Sequence, residues 1–450
     1  MCGPPTRFSP SVAVVFRVAI CPCFQVSTTE VTASSSSCYV KSALTLSRRY
    51  TQKNLDDFFD GIGALLKRSE QRAHFALYAM GLLSTLERKS LEPIAELGSD
   101  GDPKICEALH HALIHFSNTS PWSDDAVRSY ATNYALPHLL SLEPLDVWII
   151  DDTGFLKQGK HSVGVQRQYT GTAGKITNCQ IAVSLTAATR MEHLPVDFQL
   201  YLPQEWADDK ERRKVAKIPD TVSFNVKVDI ALAMLGAALK KGLPKATVAA
   251  DSFYGSDKYF RGEITELGLQ YSVGVHENLK VHRVMPDGLS NPMTVKELAL
   301  SLGRKRFKNV TWKEGTKEEL ASRFARARVR IVKPDCREPE EQTLLVEWPT
   351  EANEPTHYTL LTLDPETTLK EMVRKTKARW HIERSYEDMK GELGLDHFEG
   401  RSWIGWHHHI SVVLACYSLV QACKWRAFSP SEAGQSATGA NRPQASATLC

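Results

Sequence analysis

Val147-Trp148-Ile149-Ile150-Asp151-Asp152 is the stretch on which the fold turns. Four large apolar residues in a row leave no polar face. As a strand, such a run must be buried on both sides, in a sheet covered by helices front and back. Two aspartates close it. In open α/β sheets, sites gather at the carboxyl ends of the strands, so acids placed there are candidate functional groups. Neighbouring strand residues point to opposite faces, so only one of Asp151 and Asp152 can serve a given site.

The pattern extends outward from this strand. Further strands are expected at Gln180–Leu185 and Val196–Leu202, then an amphipathic helix at Val226–Lys241. Ala246-Thr247-Val248-Ala249-Ala250 is a second apolar strand, and it too ends in an acid, Asp251. A helix from about Ser256 and a strand at Leu269–Val275 complete an α/β order. Residues 277–357 read as a β-rich insertion, with Arg328–Val332 and Thr343–Glu347 its clearest strands. Tyr358–Leu363 returns to the main pattern, and Pro365 breaks it. One long helix is expected over Thr368–Leu393, with no internal Pro and no Gly before Gly391. A last apolar helix, Ile410–Trp425, is too short to span a membrane and reads as core. The triplet His407-His408-His409 before it is read as a helix start or a surface near DNA, because consecutive helix residues do not share a face and make poor joint ligands.

Upstream, residues 54–140 carry a helical period: Leu55, Phe58, Phe59, Ile62 and Leu65 or Leu66 recur at three- and four-residue steps. Ser69 is the expected cap of a second helix, and Gly98-Ser99-Asp100-Gly101-Asp102-Pro103 a break. Lys67, Arg68, Arg72, Arg88 and Lys89 read as a solvated face before they read as DNA contacts. The expected organisation is therefore an extension at 1–50, a helical, DNA-binding region at 54–140, an α/β core at 146–276 and 358–426 interrupted by the 277–357 insertion, and a Ser/Ala/Gly/Pro-rich tail at 427–450.

Composition sets the bounds. The 450 residues are 42% hydrophobic and 24% charged, with net charge +3. Those values exclude a disordered chain, a collagen and a coiled coil. Mild basicity permits a nucleic-acid partner without arguing for one. Ten cysteines contain no CxxC pair and read as scattered reduced thiols. Arg17 interrupts the apolar run Ser11–Val26, so neither a signal peptide nor a membrane span is expected.

Two strand-end aspartates and a helix glutamate are the donor set for divalent-metal chemistry on phosphodiesters. Two Mg²⁺ ions roughly 3.5–4 Å apart bridge a phosphate oxygen and hold nucleophile and leaving group in line, and Mg²⁺ takes hard oxygen ligands. Asp152 and Asp251 supply the strand ends. On the long helix, Arg379, Glu383, Glu387 and Lys390 stand at steps of four, four and three and share a face. A ladder of surface ion pairs would have the same spacing. Trp380, Ile382 and Tyr386 crowd Glu383, which suggests a packed carboxylate with a cation or metal partner.

Arg379-Trp380-His381-Ile382-Glu383 followed by Lys390 resembles the signature of DDE transposases from bacterial insertion sequences: Tyr, two residues, Arg, three residues, Glu, six residues, Lys. The leading Tyr falls at Thr376, where this chain departs. Ile150-Asp151-Asp152-Thr153-Gly154 looks like the first-Asp motif, and Ala250-Asp251-Ser252-Phe253-Tyr254-Gly255 like the second. Lys160 to Tyr169 (KHSVGVQRQY) is similar to the DDE-superfamily endonucleases of these elements. The likeness covers about residues 54–426. It implies a ribonuclease H-like catalytic domain with a β-rich insertion, preceded by an α-helical domain. It implies cleavage of double-stranded DNA at transposon ends and strand transfer into a target, with catalytic metal ligands Asp152, Asp251 and Glu383 and two Mg²⁺ for which Mn²⁺ can substitute. It favours Asp152 over Asp151. It assigns Arg379 and Lys390 to DNA phosphates and Tyr358 to stacking on a flipped base, against the reading of Tyr358 as an ordinary strand residue. Joining two ends needs two active sites, so a homodimer on DNA is expected, in the bacterial cytoplasm and at the nucleoid when bound. The alternatives are a catalytically inactive transposase-derived DNA-binding protein, suggested by the unusual termini, and a two-carboxylate glycosidase, which leaves Arg379 and Lys390 unexplained.

Overall fold

The computed structural model describes residues 53–314 and 319–428. The 1–50 extension, Cys21 and Cys23, and the tail beyond 428 lie outside the described residues. Five helices come first: α1 (53–65), α2 (Ser69–Leu83), α3 (Leu91–Gly98), α4 (Pro103–Asn118) and α5 (Asp124–Leu142). The periodic residues form the buried stripe, with Leu55, Phe58, Phe59, Ile62 and Leu66 inside and Leu65 outside. Ser69 is not the cap expected of it. It is the first helical residue, and the Arg68 backbone N–H before it is satisfied by Gln71 Oε1 at 3.2 Å. The break before α4 forms as read: Asp102 accepts from the N–H groups of Lys104 and Ile105, with Pro103 in the first turn. Lys89, one of the basic residues read as a solvated face, is buried and donates to the Ser84 carbonyl.

The sheet begins with β1 (Val147–Leu156), β2 (Gln166–Thr170), β3 (Lys175–Ala188) and β4 (His193–Leu200). Then follow α6 (Gln204–Asp208), α7 (Lys210–Val215), α8 (Lys227–Lys240), β5 (Thr247–Ala250), α9 (Ser252–Gly255), α10 (Lys258–Glu266) and β6 (Tyr271–Val275). β1 pairs antiparallel with β3 and parallel with β5; β5 is parallel to β6, and β4 lies antiparallel along β3. The central order is therefore β4-β3-β1-β5-β6.

The insertion carries β7 (Lys280–Met285), β8 (Gly288–Leu289), β9 (Met293–Thr294), α11 (Val295–Leu302), β10 (Lys308–Glu314), β11 (Glu319–Ile331) and β12 (Gln342–Glu347). Its strands continue the main sheet. β13 (His357–Leu361) pairs antiparallel with both β6 and β12, which joins the described strands into one mixed sheet of thirteen. The helix α11 was not anticipated. Its signal is a capping box, Thr294 accepting from Glu297 N–H while Glu297 accepts from Thr294 N–H.

The expected single helix at 368–393 is two, α12 (Leu369–Lys377) and α13 (Trp380–Leu393). Three-residue hydrogen bonds tighten the joint, from His381 N–H to Ala378 O at 3.0 Å and from Ile382 N–H to Arg379 O at 3.1 Å. Neither Ala378 nor Arg379 breaks helices by type, so the sequence carries no punctuation there. The last helix, α14 (Trp403–Phe428), starts earlier than read and contains the histidine triplet. His407, His408 and His409 are all buried. His408 lies 2.8 Å from Ser117 O and stacks on Trp122, and His409 bonds Tyr78 at 2.6 Å. They are core residues, not a surface near DNA.

Alternation along β1 sorts the two cores. Val147 and Ile149 face a cluster with Ile382, Tyr386 and Met389 of α13, most of α14 and helices α1 to α5. Trp148 and Ile150 face α8, α10 and the insertion. Among the described residues no helix is long and apolar enough to cross a membrane, and Cys106, Cys179, Cys336, Cys416 and Cys423 are unbridged.

Candidate catalytic site on β1 and after β5

The aspartates do not close β1 as read, because the strand stays paired with β3 as far as Leu156; Asp151 and Asp152 stand mid-strand, face opposite sides, and each meets a different cation. On the α13 face, Arg379 Nη2 donates to Asp151 Oδ2 at 2.7 Å, while Asp151 Oδ1 accepts from Asp152 N–H at 2.8 Å. On the α8 face, Lys227 Nζ lies 2.6 Å from Asp152 Oδ2. Lys227 opens α8, and its ammonium sits 4.1 Å from the centroid of the Phe253 ring.

Asp251 follows β5 and caps α9, accepting at Oδ1 from the N–H groups of Phe253 at 3.0 Å and Tyr254 at 3.3 Å. Its position depends on Gly274 in the adjacent β6. A Cβ on Gly274 would stand 2.9 Å from Ser252 N and 3.1 Å from the Asp251 carbonyl carbon, so only glycine lets the strand and the Asp251 turn approach this closely.

Glu383 lies in the first turn of α13. Contrary to expectation it is exposed, because Ile382 and Tyr386 turn into the core and leave it on the outer face. Its electrostatic link to the site runs through Arg379. Burial disfavours that guanidinium's charge, but Asp151, Asp251 and Glu383 together more than offset this and hold its pKa above the ordinary value. Asp151 is pushed up by burial, pulled down by Arg379 and pushed up again by Asp251, ending above the usual carboxylate range.

Lys390, near the end of α13, donates to Thr153 Oγ1 at 2.9 Å and to Gly154 O at 3.0 Å, which fastens the helix to the end of β1. Tyr386 Oη lies 2.5 Å from Ser184 Oγ on β3. Thr376, where the signature has tyrosine, lies 2.9 Å from Ser272 Oγ of β6. Tyr358 is a buried residue of β13 whose hydroxyl donates to Pro355 O at 3.2 Å, so its ring packs in the core and is not presented to a base.

Residues 57–319 match the DDE superfamily endonuclease family, well over half of the chain, and residues 227–419 match the transposase DDE domain. The chain belongs to the DDE superfamily endonucleases. It is also similar to a probable transposase for insertion sequence element IS701 from Microchaete diplosiphon, 31% identical over 232 residues, which are 51% of this chain and 55% of that protein. The chain thus spans about half the length of that curated relative.

For a DDE endonuclease the donor set is chemically apt. Carboxylate oxygens on β1 and just after the neighbouring strand β5 suit a hard divalent cation. Beside them the Tyr254 hydroxyl is buried without a hydrogen-bond partner, and Asp152, Asp151 and Asp251 all act on it electrostatically. Polar capacity is therefore left over at this point. Yet among the described residues no three His, Cys, Asp or Glu side chains are gathered closely enough to hold an ion. In this arrangement Lys227 and Arg379 occupy the carboxylates. Lys227 escaped the sequence reading because a lysine at a helix start looks solvated. The one available signal is that a cation there opposes the helix dipole and calls for a local anion.

Proposed function

We propose that this chain is a DDE transposase that cuts double-stranded DNA at the ends of an insertion sequence and transfers the freed 3′ ends into target DNA. Asp152, Asp251 and Glu383 are its metal-binding catalytic acids, and Asp151, which faces Arg379 and α13, is the competing first acid. The observation that carries this reading is the meeting of β1, β5 and α13: Asp251 directly follows the strand parallel to β1, and Arg379, one helical turn before Glu383, donates to Asp151 beside Asp152. The order β4-β3-β1-β5-β6, with β3 antiparallel to its neighbours, supports a ribonuclease H-like core whose first acid lies mid-strand in β1 and whose second directly follows the adjacent parallel strand β5. Residues 146–276 and 358–426 form this core, 277–357 its insertion, and the helices from 54 to 140 contribute DNA contacts.

Bound Mg²⁺ or Mn²⁺ would supply Lewis acidity and an activated water or 3′-hydroxyl. The protein's own residues hold and aim the acids. Asp251 is fixed by two backbone N–H groups and by the Gly274 contact. Arg379 and Lys390 brace α13 against β1, and on binding DNA they turn to phosphates, for which guanidinium and ammonium groups are the natural partners. A homodimer on DNA follows from the need to join two ends.

The test is nicking of a supercoiled plasmid that carries the element's ends, with Mg²⁺ or Mn²⁺. Cleavage that depends on Asp251 supports the reading. A second reading, an inactive DNA-binding descendant, draws on the Lys227 contact to Asp152; tight binding of the ends with no cleavage under either ion would select it.

A further inference from the structure

We propose that Lys227 is a built-in countercation that competes with the divalent ion for Asp152 and so sets the metal concentration at which the site loads. The inference rests on the reading of Asp152 as a metal ligand.

Three observations lead to it. Lys227 is the first residue of α8, where the helix dipole disfavours a positive charge. Asp229 lies in the same first turn, and Asp152 adds a direct contact at 2.6 Å with both side chains only 20% and 21% exposed. Second, the ammonium is fixed from the other side by the Phe253 ring, and Phe253 N–H is bonded to Asp251. Lys227 is thereby lodged between the turn that ends β5 and the strand that carries Asp152. Third, the two protein cations divide the crowded acids between them, Arg379 on Asp151 and Lys227 on Asp152. This division accounts for acids that stand on the neighbouring strand β1 and just after β5 without forming, among the described residues, a gathered metal-binding group.

Competition follows from charge and space. An ammonium held on Oδ2 and a divalent ion on the same carboxylate repel each other and share its negative charge. Loading therefore works against the Lys227 charge. By linkage, that repulsion is subtracted from metal affinity.

The experiment is Mn²⁺ titration of the DNA-free full chain, followed calorimetrically, for the wild type, Lys227→Met, Lys227→Gln, Lys227→Arg and Asp152→Asn. Both neutral variants should bind Mn²⁺ about tenfold more tightly than the wild type. Lys227→Arg, which keeps the charge, should stay near it, and Asp152→Asn should lose binding. A merely structural lysine would give the opposite sign, since a loosened site binds metal less well. Circular dichroism checks that each variant is folded, and the glutamine variant keeps the test open if methionine disturbs folding. Wild-type affinity, or weaker, in both folded neutral variants overturns the proposal while leaving the catalytic reading intact. Absence of Mn²⁺ binding in the wild type and all variants overturns both.

Discussion

Arg379, at the joint between α12 and α13, donates to Asp151 in the middle of β1 across 2.7 Å. The two residues are 228 apart in the chain, so this one contact ties the glutamate-bearing helix to the central strand. The pair is mostly shielded, with Asp151 15% exposed and Arg379 31%. Arg379→Ala would leave a largely buried carboxylate without its cation. The expected loss is about 1–3 kcal/mol, below the range for fully buried pairs because Arg379 retains some solvent. In urea denaturation, adding Asp151→Asn should recover part of that loss, since the uncompensated charge goes with it. A strictly additive double variant would mean that the pair is not coupled.

A second pair joins the insertion to the turn that follows β5. Arg261 of α10 and Glu338 are 1% and 0% exposed, with two bonds between them at 2.8 and 3.1 Å. Arg261 also donates to Gly255 O at 2.6 Å. Arg261→Met should cost about 3–5 kcal/mol, the range for stranding a buried charge. Chemical denaturation reads this directly, and a loss under about 1 kcal/mol would show the pair to be replaceable by apolar packing.

The buried histidines of α14 predict acid sensitivity. Burial holds His407 down to about 4 and His409 to about 3, whereas an unfolded chain titrates near the ordinary value of 6.5. Between about pH 6.5 and 4 the unfolded state therefore binds more protons than the folded one. Stability should fall as pH drops through that window, by up to about 1.4 kcal/mol per pH unit for each histidine. Denaturation midpoints for His407→Gln should fall less steeply across that window than those of the wild type. Equal slopes would contradict the account.

Much of this fold was legible in the residues. The apolar run 147–150, the strand before Asp251 and the helical stripe from Leu55 to Leu66 each show a period or a run that a core must absorb. What escaped lacked such a mark. The joint at Ala378–Arg379 is made by three-residue hydrogen bonds among residues that suit a helix. The histidine triplet looked polar, but His408 and His409 find partners that only tertiary packing supplies, while His407 bonds back to Trp403 O within the helix. Glu383 was read as packed because its neighbours are bulky, yet those neighbours occupy the inner face and leave the glutamate outside. Lys227 has no motif at all, and its role comes from a strand 75 residues earlier.

The central claim is that Asp152, Asp251 and Glu383 form one metal-binding catalytic set. Its most direct test is metal-dependent nicking of end-bearing plasmid by Asp152→Asn, Asp251→Asn and Glu383→Gln, each first shown to be folded and able to bind DNA. Each variant should lose about 10³-fold or more in rate with Mg²⁺ and with Mn²⁺. Wild-type cleavage by any one of the three would contradict the claim.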